Sequence, residues 1–142
     1  MVVSVPAVMS CCAHAFILNF LFLNVVIERF TQLLKNTQTI ARFIFEKAEG
    51  RPYNFALIAG KNSDHAYRYF LEVWGNPPVT VENPLSDPAR KTVTTQLLVV
   101  CEEKVCQPLG HPLWEIAGFG RAEIEGEWQI STARVFRLIP YN

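Results

Sequence analysis

MVVSVPAVMSCCAHAFILNFLFLNVVI (1–27) contains no Asp, Glu, Lys or Arg, and every charge in the chain lies from Glu28 onward. Counted from Pro6, the apolar stretch has 22 residues. A helix that spans a bilayer needs roughly 20 predominantly apolar residues. Pro6 suits a helix start, because the N–H it lacks would be unpaired there. Between Ala7 and Glu49 there is neither Gly nor Pro, so one helix can leave the membrane and continue into water. The leading reading of residues 1–27 is therefore a transmembrane helix. A secretory signal peptide fits less well, because its basic leading region is missing. A helix buried in a soluble protein is the third reading. His14, Asn19 and Asn24 lie within the stretch. In lipid such groups hydrogen-bond neighbouring helices, which suits one span among several. Cys11 and Cys12 read as small apolar residues or lipidation sites.

Outward from this stretch the pattern changes. Ile27, Phe30, Leu34, Thr37, Ala41, Ile44 and Ala48 recur at three-and-four spacing, with Leu33, Ile40 and Phe45 alongside. Arg29, Lys35, Asn36, Thr39, Arg42 and Glu46 fall largely on other faces. This is an amphipathic helix that packs one stripe on a core, and Gly50 and Pro52 end it. Residues 28–50 are thus a connecting helix packed on the domain, and residues 51–142 a small soluble α/β domain. Arg29, Lys35, Arg42 and Lys47 follow the span and no basic residue precedes it. Taken alone, that asymmetry places the soluble domain in the cytoplasm; in a longer chain, other spans could set the orientation instead.

The 142 residues suffice for one domain of ordinary size. With 13 basic and 13 acidic residues the net charge is zero. No basic face points to nucleic acid, and no repeat or low-complexity tract is present.

In the soluble part YNFALIAG (53–60) reads as a strand. Asn62, Ser63 and Asp64 offer a helix start, Ala66, Phe70, Leu71 and Trp74 a helical stripe, and Gly75, Pro77 and Pro78 a stop. Residues 76–91, rich in Pro and polar residues, read as a loop. TVTTQLLVVC (92–101) is a second strand, rich in β-branched residues. Strand, helix, strand predicts a parallel pair joined by a crossover. Pro112 opens a short helix that Gly118 closes. Residues 121–129 alternate, with Ala122, Ile124, Trp128 and Ile130 on one side and Arg121, Glu123, Glu125, Glu127 and Gln129 on the other. Residues 133–139 form the last strand. The expected fold is α/β: a mixed sheet of about four strands, with the long helix and the 63–74 helix packed on it.

Three constellations carry candidate chemistry. Cys101 and Cys106 close a short disulfide loop in an oxidising compartment and stay as thiols in a reducing one. With His111 they form Cys-x4-Cys-x4-His, three ligands where a structural zinc takes four, so no metal is assigned. His111, Trp114 and Glu115 place an imidazole, an indole and a carboxylate beside a turn. Trp114 can stack on a sugar ring while Glu115 accepts hydroxyl hydrogen bonds. The competing reading, which we favour, puts Trp114 in the core and His111 on the turn. Asp64, His65 and Arg68 begin a helix after a strand, where open α/β sheets bind ligands. At i,i+4, Asp64 and Arg68 more simply pair on the helix surface. No dinucleotide or phosphate loop, zinc-protease helix or nucleophile elbow is present, and no cofactor is implied.

Three segments, YNFALIAGKNSDHAYRYFLEVWG (53–75), QLLVVCEEKVCQPLGHPLWEIAGFG (96–120) and VFRLI (135–139), carry a resemblance. They resemble the C-terminal extracytoplasmic domain of bacterial polytopic glycosyltransferases of the C-type superfamily, akin to protein mannosyltransferases and lipid A aminoarabinose transferases. The resemblance implies a polyprenyl-phosphate sugar donor, an oxidising compartment that favours the Cys101–Cys106 disulfide, and residues 1–27 as the last span of a longer enzyme. Such enzymes carry catalytic acidic residues in an early extracytoplasmic loop, and this chain has none before Glu28. The expectation is an accessory, non-catalytic domain. Its partners would be membrane lipid, other transmembrane helices and a sugar or lipid-linked sugar. A stand-alone single-pass binding module and a small soluble protein with a buried first helix are the alternatives.

Overall fold

Two pentapeptides build the centre of the sheet. NFALI in β1 (Asn54–Ile58) and LLVVC in β2 (Leu97–Cys101) are buried at every position, the mark of strands covered on both faces. The computed structural model describes the backbone of residues 6–60 and 62–141, and side chains from residue 23 onward. The other elements are α1 (Pro6–Ala48), α2 (His65–Val73), α3 (Trp114–Phe119), β3 (Ala122–Ile130) and β4 (Ala133–Pro140). The sheet order is β1-β2-β4-β3. β1 and β2 are parallel and connected through α2, while β4 runs antiparallel to both β2 and β3. The fold is α/β with a four-stranded mixed sheet.

Strand parity sorts the core into two layers. Phe55, Leu57, Leu98, Val100 and Val135 face Ile40, Ala41, Ile44 and Ala48 of α1 and Tyr67 and Leu71 of α2. Ala56, Ile58, Leu97, Val99, Phe136 and Leu138 face Ile116 and Phe119 of α3. The C-terminus of α1 is fastened to this frame. Its last carbonyls lack helical partners. Gln96 Nε2 donates to Ala48 O at 3.1 Å, and the Arg137 guanidinium donates to Lys47 O. Arg137 also reaches Glu49 and Glu125, each at 3.1 Å.

The structure departs from the sequence expectations in three places. The alternation over 121–129 breaks at a bulge between Ile124 and Gly126. Ala122 therefore packs on the α3 layer and Trp128 and Ile130 on the α1 layer, rather than all on one side. The bulge residue Glu125 meets Arg137. The second strand starts only at Leu97, because the backbone before it serves a buried side chain. Asn54 Nδ2 donates to Val79 O and Thr92 O, and its Oδ1 accepts from Thr94 N, each at 2.8 Å. The short helix runs on through Gly118 to Phe119, and the chain reverses at Gly120, whose φ of 96° favours glycine.

The chain divides into two compact units, Met1–Lys35 and Asn36–Asn142, with the division inside α1. In the second unit Thr37, Ile40, Ala41, Ile44 and Ala48 are buried. In the first, Leu23, Ile27, Phe30 and Leu34 are exposed, Phe30 by 62%. The expected span over 1–27 lies almost wholly outside the residues whose side chains are described, as do His14, Asn19, Cys11 and Cys12. Among the described residues no helix is long and apolar enough to cross a membrane.

Candidate functional site

The C-terminal ends of the parallel strands are where ligands bind in open α/β sheets. Here the open side of β1 and the segments just after β1 and β2 are occupied by the protein's own contacts. Arg68 of α2 pairs with Asp64, donates to Phe55 O at 3.4 Å, and lies over the Phe55 ring at 5.7 Å. His65 Nδ1 is 3.8 Å from Asp64 Oδ1, with its side chain 88% exposed. Asp64 and Arg68 thus form the intrahelical pair their spacing suggests. Beside them runs a network the sequence did not signal. The Tyr67 hydroxyl donates to Glu102 Oε1 at 2.5 Å, and Asn62 Nδ2 donates to both Glu102 oxygens at 3.1 and 3.0 Å. Burial, then the Glu102 carboxylate, push the Tyr67 phenol well above its ordinary value. Tyr67 therefore stays protonated as a donor.

Cys101 and Cys106 lie at disulfide distance, with Cα atoms 6.2 Å apart, within the usual range for a bridge. Both sulfurs approach Glu103 O. Among the described residues no group of three or more His, Cys, Asp and Glu side chains is gathered for a metal.

The constellation of His111, Trp114 and Glu115 is split by the fold. Trp114 Nε1 donates to Val81 O at 2.8 Å, and the indole lies against Gly118, where an added Cβ would sit 3.3 Å from it. Trp114 thereby ties the 76–96 loop to α3. It lines a small recess of about 190 Å³ together with Asp87 and Arg90. Glu115 sits half-buried in the first turn of α3 and lines neither this recess nor the larger cleft beside it.

His111 belongs to that larger cleft, of about 610 Å³. Ile116, Ala122 and Leu138 form its floor, and Pro108, Leu109 and Pro112 one wall. Its polar groups are His111, Arg121 and Tyr141. His111 Nδ1 accepts from Leu113 N–H at 3.2 Å, which assigns the proton of the neutral imidazole to Nε2, a donor. Arg121 is exposed and in no ion pair among the described residues. The reversal at Gly120 and a backbone bond from Tyr141 N to Arg121 O, 3.0 Å, set Arg121 and Tyr141 side by side. An apolar floor with a few polar groups at its rim, at this volume, is the usual form of a small-molecule site. Sequence reasoning found His111 and missed the other two. Arg121 had a signal, its place on the wet face of an alternating strand; Tyr141 had none.

No protein family, curated protein or solved structure matches this chain.

Proposed function

We propose that the chain is a membrane-anchored accessory domain of a glycosyltransferase that uses a lipid-phosphate sugar donor, with the Asn36–Asn142 unit outside the cytoplasm. The observation that carries the anchoring is the continuity of α1. One 43-residue helix runs from a stretch without charge, through exposed Leu23, Ile27, Phe30 and Leu34, to the buried Ile40, Ala41, Ile44 and Ala48. Burying apolar side chains of this size is worth about 1.5–3 kcal/mol each, and lipid supplies that burial to an exposed stripe. The Cys101–Cys106 pair supports an oxidising compartment. The glycosyltransferase assignment rests on the resemblance of residues 53–75, 96–120 and 135–139.

The reading frame upstream of Met1 tests the assignment. Further hydrophobic segments with acidic residues between them are expected. A stop codon immediately upstream would contradict the glycosyltransferase part and favour a stand-alone anchored binding module. That second reading draws on the Asn36–Asn142 unit, which holds both apolar layers by itself. Thiol labelling of intact cells, with and without reductant, tests sidedness. Cys101 and Cys106 should react only after reduction, and free thiols at these two positions in native protein would count against an extracytoplasmic domain.

A further inference from the structure

We propose that the cleft between α3 and the open end of the β3–β4 hairpin, opposite its turn, binds a single-chain anionic amphiphile. The headgroup would sit on Arg121 and His111, and the chain along Leu109, Pro112 and Ala117. This inference does not rest on the membrane anchor or on the glycosyltransferase reading.

Charge carries the first step. The chain as a whole is neutral, with acidic and basic residues in equal number, yet among the described residues the cleft lining contains an arginine and a histidine and no Asp or Glu. The other arginines of the domain are engaged. Arg51 and Arg137 pair with Glu49, Arg68 with Asp64, and Arg134 with Glu127, while Arg90 donates to the carbonyls of Gly118 and Phe119 at 3.0 Å each and Arg42 lies over Trp74. Arg121 makes no such pairing and stands at a concave rim, where its planar fork of donors is open to a carboxylate or phosphate.

His111 supplies the second donor. Because Nδ1 is occupied by Leu113 N–H, the remaining ring nitrogen of the neutral imidazole carries hydrogen and suits an anionic oxygen.

The walls argue against a bare anion as the intended occupant. Ile116 and Leu138 beneath are already buried, but Leu109 of the wall is 47% exposed, and Pro112 and Ala117 of the same cleft are exposed too. An apolar surface that opens onto a cleft of about 610 Å³ gains most from a ligand that removes it from water. An anion joined to a hydrocarbon chain meets both halves of the cleft at once.

Photo-labelling tests the proposal. The purified full chain would be irradiated with dodecyl phosphate bearing a diazirine on its chain, kept below its micelle-forming concentration, and in parallel with the matching uncharged alcohol. Mapping of labelled peptides is expected to place the phosphate probe on residues 108–122 and 138–141. Excess unlabelled dodecyl phosphate should displace it, and the same concentration of inorganic phosphate should not. Arg121→Ala should lower labelling about tenfold, the loss expected for a charged hydrogen-bonding partner. Ala117→Trp, which fills the cleft and keeps the charge, should lower it as far. Circular dichroism of each variant checks that the domain remains folded. Equal labelling by the alcohol, displacement by inorganic phosphate, indifference to both substitutions, or label confined to other segments would each overturn the proposal.

Discussion

The two halves of α1 carry the same pattern and meet opposite fates. Ile40, Ala41, Ile44 and Ala48 are buried against the sheet, while Ile27, Phe30 and Leu34, at the same three-and-four spacing, are exposed. Periodicity declares that a face will be covered and leaves open what covers it. The residue sizes separate the two cases. Ala41 and Ala48, each 0% exposed, allow the helix backbone to approach a rigid sheet, with Ile between them filling the gap. The exposed stripe is built from large side chains alone, which suits a fluid partner.

Substitution turns that contrast into numbers. The largest effect is expected at Ile44. Truncation to Ala leaves a cavity in the α1 layer and should cost about 2–5 kcal/mol of folding stability in urea titrations. Phe30→Ala should stay within about 0.5 kcal/mol in the same detergent-solubilised protein. Equal losses at both positions would erase the distinction. Next comes the anchoring of the second half. Asn54→Ala removes the hydrogen bonds that hold Val79, Thr92 and Thr94 and should cost about 1–3 kcal/mol for the backbone groups left unpaired. Faster hydrogen exchange over residues 76–96, with α1 amides unchanged, checks it. Replacing Cys101 and Cys106 by Ser opens a short loop, so a loss of about 2 kcal/mol or less is expected, in the second unit alone.

The smallest effect is electrostatic. A hydrogen bond from Arg137 and its charge hold the Glu49 carboxyl below its ordinary value, and the N–H and hydroxyl of Thr92 do the same for Asp87. A folded-state value below the unfolded one contributes stability at neutral pH, and that contribution is lost as pH falls through the folded value. Urea midpoints should therefore decline as pH drops below the ordinary carboxylate value of 4.5. Arg137→Met and Thr92→Val should each flatten part of the decline.

Much of the fold was readable because it rests on local pattern. The runs 53–60 and 92–101 contain β1 and β2, and the stripe with Phe70, Leu71 and Trp74 contains α2. The facing of β3 was not readable, since a bulge shifts parity without changing composition; Gly126 was the one local hint. Asn54 reads as an interruption in an apolar run, and only the folded loop gives its amide its partners, Val79, Thr92 and Thr94. The cleft is tertiary throughout. His111, Arg121 and Tyr141 meet only after the chain reverses at Gly120, so neighbours in sequence, Trp114 and Glu115, drew attention that belonged to residues farther along.

On the proposed reading α1 carries this chain into lipid, and alkaline carbonate washing of membranes from cells expressing the chain tests that most directly. The protein should remain in the membrane pellet and be released only by detergent. Its recovery in the carbonate wash, folded and without detergent, would contradict the anchor and assign the exposed stripe of Ile27, Phe30 and Leu34 to a protein partner.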